Sequence, residues 1–91
     1  MATHIAVASF SPETDLPSMM TVLTEEVARV RQLTAEGRLR AVHLSPARGR
    51  AFLEVIAESE DEAKATVESL PMAHWWEIEV YPTMVPPDQQ D

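Results

Sequence analysis

The chain has 91 residues, 45% of them hydrophobic, enough for one domain with a single core and no more. Asp and Glu number 15 against 7 Lys and Arg, and the resulting net charge of -8 repels phosphate backbones and argues against a nucleic-acid partner. There is no cysteine for a disulfide or a thiolate zinc site, no positively charged leader at Met1-Ala2-Thr3-His4, and no apolar run near the roughly 20 residues of a membrane span. These features predict a soluble cytoplasmic protein with no membrane partner.

Ile5 to Phe10 is a short apolar run with β-branched residues and reads as the first strand, ended by Ser11-Pro12. The stretch to Ser18 reads as loop, with Pro12 and Pro17 as breakers. From Ser18 to Glu36 the spacing predicts one helix. Met20, Leu23, Val27, Val30 and Leu33 recur at intervals of three and four and form one stripe. Glu25 and Arg29 stand four apart in the favourable order, and Gly37 closes the helix at a left-handed position.

Arg38 to Leu44 is a second, more mixed strand, followed by the turn Ser45-Pro46-Ala47-Arg48-Gly49. Arg50 to Glu58 is the third strand. Ala51, Leu53, Val55 and Ala57 share one face, Phe52, Glu54 and Ile56 the other, so both faces are expected to be at least partly buried. Ser59-Glu60-Asp61-Glu62 is a capping-box pattern that opens a second helix, running to about Leu70. Leu70-Pro71 leads into a fourth strand from Trp75 to Tyr81. Trp76, Ile78 and Val80 lie on one face and Trp75, Glu77, Glu79 and Tyr81 on the other. Pro82 stops it, and the polar tail over 83–91 is expected to fray.

The order is βαββαβ over 1–82: an α+β, ferredoxin-like domain, with an antiparallel sheet and two helices on one face. The far face is left bare. In so small a chain, a second copy is the simplest cover, so a homo-oligomer, dimer or higher, is expected.

Glu26, Leu33, Glu36-Gly37, Ser59, Ala63, Leu70-Pro71-Met72 and Glu77-Ile78-Glu79-Val80 together form a recognisable pattern. The chain resembles the muconolactone isomerase-like family and, more loosely, the YciI-like group, both dimeric α+β barrels. The resemblance runs from about Leu16 to Pro82. It implies sheets packed face to face between subunits, and acid–base chemistry on a small organic molecule without metal or cofactor. The namesake enzyme moves a proton within a lactone. Many isomerases of the family carry tryptophan and arginine on the second strand. Here that strand reads Leu39-Arg40-Ala41-Val42-His43-Leu44, which leaves the substrate open.

Proton transfer beside a carbonyl needs a base and a donor for the developing oxyanion. Glu26, at the edge of the apolar stripe, is the first candidate; its alternative is a solvated helix glutamate. His43 and His74 are further acid–base candidates, each equally a half-buried strand-end histidine. Arg48 and Arg50 flank Gly49 and present guanidinium forks for a substrate carboxylate, or else balance the acidic surface. Trp75, Trp76 and Tyr81 are candidate walls for a flat ligand, against the alternative of core for Trp76 and a subunit contact for Trp75. Three scattered histidines make no metal site. The expected function is a cofactor-free isomerase or lyase acting on a small lactone or related acid. The alternatives are an oxygenase or cyclase of the same superfamily, on an aromatic or polyketide-like substrate, or a non-catalytic oligomeric binding domain.

Overall fold

The computed structural model describes residues 2–84. Along the chain these form β1 (Ala2–Ser9), α1 (Leu16–Met20), α2 (Leu23–Ala35), β2 (Leu39–Ser45), β3 (Arg50–Ala57), α3 (Glu60–Glu68) and β4 (Glu77–Pro82). Short 3-10 turns occupy Pro46–Arg48 and Pro71–Trp75. The strands make one sheet in the order β2-β3-β1-β4, with every neighbouring pair antiparallel. The α+β, ferredoxin-like expectation holds. No helix among the described residues is long and apolar enough to cross a membrane.

The register sorts the strand residues by face. One row reads Leu44, Ala51, Ala8, Ile78 across the four strands, and the next reads Val42, Leu53, Ala6, Val80. These side chains face the helices. Ala6, Ala8, Ala51, Leu53 and Val55 are buried there, together with Leu33 of α2 and Ala63 and Val67 of α3. In both rows the β1 position is an alanine, Ala8 in the first and Ala6 in the second. A floor that low sets how far the helices must descend to touch it.

The expected single helix over 18–36 is instead two. Asp15 caps α1, accepting from the Ser18 N–H at 3.4 Å, and Pro17 sits in the first turn, where its missing N–H costs nothing. Pro17 is therefore part of a helix rather than a breaker. The chain then tightens: Thr21 and Val22 donate to carbonyls three residues back, and the Thr21 hydroxyl also bonds the Ser18 carbonyl at 2.6 Å. That side chain competes with the regular ladder, and the helix restarts at Leu23.

The end of α2 is as the glycine foretold. Gly37 has φ +76°, its N–H reaches the Thr34 carbonyl, and the Arg38 N–H reaches that of Leu33, the two bonds of a Schellman motif. Ser59 caps α3 through the Glu62 N–H at 3.1 Å, but Glu62 returns its bond to the N–H of Glu58, one residue before the usual partner. Arg29 does not pair with Glu25; it donates to the Ser69 hydroxyl and so ties α2 to the end of α3. Arg38 likewise donates to buried Thr66 at 2.9 Å. The fourth strand begins at Glu77, later than expected, because Pro71 opens a 3-10 turn that carries the chain through Trp75. Thr83 is held rather than frayed: its N–H and hydroxyl both bond the Thr3 carbonyl. The remainder of the expected tail, 85–91, lies outside the described residues.

The apolar stripe of α2 is only half used by the core. Leu33 is fully buried, whereas Leu23 and Val27 are each 43% exposed. Leu33→Ala is accordingly expected to cost about 2–5 kcal/mol, and Val27→Ala no more than about 1 kcal/mol, in denaturant unfolding. Equal losses at the two positions would mean that α2 packs evenly along its length.

Candidate active site

The half of α2 that stands clear of the core roofs a cavity of about 640 Å³. Its floor is the β2–β3 side of the sheet, including Val42, Leu44, Ala51 and Leu53. Leu23, Val27 and Val30 come down from α2, Met19 and Met20 from α1, and Met72 and Trp76 from the segment before β4. The stripe positions that looked like core are thus the roof of a cavity, and Trp76, a candidate wall or core residue from its sequence, is part of its wall. The small Ala51 beneath the helix and the restart at Leu23 together leave this space. A volume of about 300–1,000 Å³ is that of a small-molecule site.

Glu26 is the carboxylate in the lining. Its helix position places it one turn before Val30 on the cavity side. Its Oε1 accepts the Met72 backbone N–H at 2.9 Å. Met72 is in the first turn of the 3-10 segment Pro71–Trp75, where backbone N–H groups lack a partner within the turn. Glu26 fills that vacancy from another helix. The bond fixes the carboxylate, and Oε2 makes no hydrogen bond with the described residues. Burial in apolar surroundings pushes the carboxyl above the ordinary glutamate value of 4.5, opposed in lesser degree by the Met72 N–H, which favours the charged form. A carboxylate held by one oxygen, with raised proton affinity and a free second oxygen beside a cavity, can accept a proton from a bound molecule.

The other sequence-derived candidates are distributed differently. Arg50 lines the cavity together with Glu26. Arg48 lies outside it, in a shallower polar hollow formed by the Ser9–Pro12 segment and the Pro46–Arg50 turn, which Arg50 shares. His43 pairs across the sheet with Phe52, on the face away from the helices, and is exposed. His74 is exposed and meets Trp75 edge-on, with ring centroids 5.0 Å apart. Neither histidine lines the cavity. Tyr81 pairs with Ile5 on the far face and donates to the Glu79 carboxylate, a bond that holds the phenol above its usual pKa. Trp75 is in the 3-10 turn and not on a strand face, so of the three candidate ring walls Trp76 lines the cavity and Trp75 and Tyr81 do not.

The residues sequence reading missed are Arg31, Phe10, Met19, Met72 and Leu44, all in the lining. Arg31 was findable: it stands four residues after Val27 and so extends the stripe by one turn. The others depend on chain segments meeting in space and carry no local signal.

The muconolactone delta-isomerase family profile matches residues 4–88. No curated protein matches the chain in sequence. Among solved structures, it is similar to the 5-chloro-2-hydroxyhydroquinone dehydrochlorinase of Burkholderia phenoliruptrix AC1100, in complex with 2,5-dihydroxybenzoquinone. That match has a TM-score of 0.72 and 17% identity over 97% of this chain and 99% of the other. It is also similar to a muconolactone isomerase, with a TM-score of 0.69 and 20% identity over 98% of this chain and 94% of the other. At these identities the likeness establishes the fold.

The raised Glu26 pKa has a consequence for stability. The folded state holds the Glu26 proton more tightly than the unfolded chain does. Its contribution is therefore most favourable below the unfolded value and is lost as pH rises through the folded one. Glutamine keeps an oxygen for the Met72 N–H and carries no charge. Glu26→Gln is expected to be at least as stable as the native chain at pH 7, with its relative advantage shrinking as pH falls through the raised folded value and levelling off below 4.5, measured by urea unfolding across pH. A variant less stable at pH 7 than at pH 4, relative to the native chain, would show that burial does not disfavour the charge.

Proposed function

Because the chain belongs to the muconolactone delta-isomerase family, we propose that its cavity carries out a cofactor-free proton shift on a small lactone or related organic acid, with Glu26 as the base. The observation that carries this reading is the placement of Glu26: anchored through Oε1, free at Oε2, half-buried beside an apolar cavity. Oε2 removes a proton from the carbon next to a carbonyl. The C–H electron pair moves into the conjugated system and charge develops on the carbonyl oxygen. The proton on Glu26 then returns to a carbon further along the conjugated chain, and the carboxylate is regenerated.

One group must make both transfers, since Glu26 is the carboxylate in the lining and His43 and His74 both stand outside it. In this reading the histidine candidates take no part, and Glu26 acts as a single shuttling carboxylate. Among the residues of the lining, Trp76 and Arg31 carry N–H groups and are assigned here as donors for the oxyanion. Loss of a leaving group in place of proton return needs the same first step. That lyase variant is supported by the similarity to a dehydrochlorinase.

The far face of the sheet belongs to the same reading. Ile5, Val7, Phe52, Ile56 and Tyr81 share it, and no helix among the described residues covers them. Face-to-face packing of two sheets would bury these residues and leave each cavity on the outer, helical side. Light scattering is expected to show a dimer or higher oligomer, and Phe52→Glu to shift it toward monomer. A native chain that is monomeric at micromolar concentration would refute this assembly.

For the chemistry, Glu26→Gln is expected to lower the rate of isomerisation or of solvent-proton exchange into a conjugated lactone acid by about 10²–10⁴-fold, with fold and assembly unchanged. An unaltered rate would remove Glu26 as the base and leave a binding domain as the better account.

A further inference from the structure

The last row of the sheet beside the cavity has a gap in it. Past Leu44, Ala51, Ala8 and Ile78 the register continues to Pro46, Gly49, Phe10 and Trp76. Backbone bonds hold the middle of this row. The Gly49 N–H donates to the Pro46 carbonyl and the Phe10 N–H to the Gly49 carbonyl, both at 3.1 Å. Pro46, Phe10 and Trp76 line the cavity, whereas Gly49 has no side chain to send into it and opens onto the hollow beyond. Its φ of +63° is one that glycine takes freely. A Cβ on Gly49 would lie 3.2 Å from the Phe10 carbonyl oxygen, and 3.7 and 3.8 Å from ring atoms Cε2 and Cζ of the same residue. The phenyl ring therefore leans over the glycine and covers the gap that the missing side chain leaves. On the other side is the hollow that contains Ser9, Pro12 and Arg48, about 570 Å³ in volume, and Phe10 and Pro46 line both spaces. Two cavities of similar size thus meet at one half-buried ring.

We propose that Phe10, seated on Gly49, is a specificity-determining residue: its ring is the end wall that sets how long an apolar ligand the cavity can bury. The ligand class that follows is a carbonyl compound with an apolar body of limited length. Each methylene that lies beneath α2 leaves water and adds to affinity. A methylene that meets the ring has no further apolar space to enter and stays outside, where it adds nothing. The wall is a side chain rather than backbone, so its position is set by one residue and the glycine it rests on. This assignment deepens the proton-transfer reading. It rests on the same cavity being the ligand site, and not on Glu26 being the base.

The test uses straight-chain 2-alkanones from butanone to dodecanone, neutral ketones that differ only in length, titrated into the full chain by isothermal calorimetry. In the native protein, affinity is expected to rise by about fourfold per methylene and to level off where the chain meets the ring. Phe10→Ala joins the cavity to the hollow, and the levelling-off point should move out by about three methylenes or more. Phe10→Leu keeps a shorter apolar wall and should move it by about one. Urea unfolding checks both variants; if Phe10→Ala does not fold, Phe10→Leu decides. A levelling-off point that stays at the native length in the folded variants would overturn Phe10 as the end wall, as would a native chain that binds no ketone of the series. Val27→Trp, which fills the roof, should abolish binding at every length. Undiminished binding to Val27→Trp would remove the cavity as the ligand site, and the proton-transfer reading with it. The levelling-off point is read without turnover. An unaltered rate in Glu26→Gln would therefore remove the base and leave the wall standing.

Discussion

The bond from the Met72 N–H to Glu26 Oε1 spans the open end of the molecule. The second half of α2 is seated by Leu33 and by the Arg29–Ser69 contact. The first half has no such seat, because the floor beneath it is low and the facing side chains of β2 are themselves exposed. Left to apolar packing alone, this half would either collapse onto the sheet or lift away. One charge-assisted hydrogen bond, shielded by the surrounding methionines and Trp76, joins it instead to the turn before β4. The cavity exists because two elements are tied across it rather than packed through it. The tie is made by a carboxylate whose burial disfavours its charge, so the same contact that spaces the helix also raises the proton affinity of the group at the cavity wall.

The two faces of the sheet are chemically distinct in a way that follows from register. Alanines alternate with large residues on β1 and β3, and all the small ones fall on the helical side. The far side carries Ile5, Val7, Phe52 and Ile56 beside Glu54 and Glu79, a mixture suited to a second polar-edged surface rather than to bulk water. Small residues on one side leave room for the cavity; larger ones on the other leave an apolar area with no helix of the described residues over it. A register slip of one residue on β1 would exchange the two faces, so the antiparallel pairing to both β3 and β4 is what keeps the cavity face and the uncovered face apart.

Much of this was legible in the chain and some was not, for identifiable reasons. Element order was readable because each boundary has a local chemical mark: Gly37 at a left-handed cap, Ser59 at an N-cap, and period-two alternation from Glu77 to Val80. Glu26 was readable because helical spacing sets it against Val27 and Val30. The break at Thr21–Val22 was missed because an interrupted amphipathic helix keeps the same stripe on both sides of the break. The cavity was missed for a related reason: an apolar stripe specifies which side faces inward, not whether anything fills the space. His43 was misplaced because a mixed strand leaves its face ambiguous, and the register with β3 puts it beside Phe52. Arg31 and Met72 gained their meaning only when distant segments met.

The central claim is that Glu26 holds the Met72 N–H and is disfavoured in its charged form by the cavity. It is tested most directly by following the Met72 amide proton shift against pH by NMR. That resonance is expected to move strongly as the carboxylate it donates to is protonated, with a midpoint above the ordinary glutamate value, and to lose this transition in Glu26→Gln. A Met72 amide that shows no transition, or one at or below the ordinary value, would contradict the contact or the effect of burial on which the account rests.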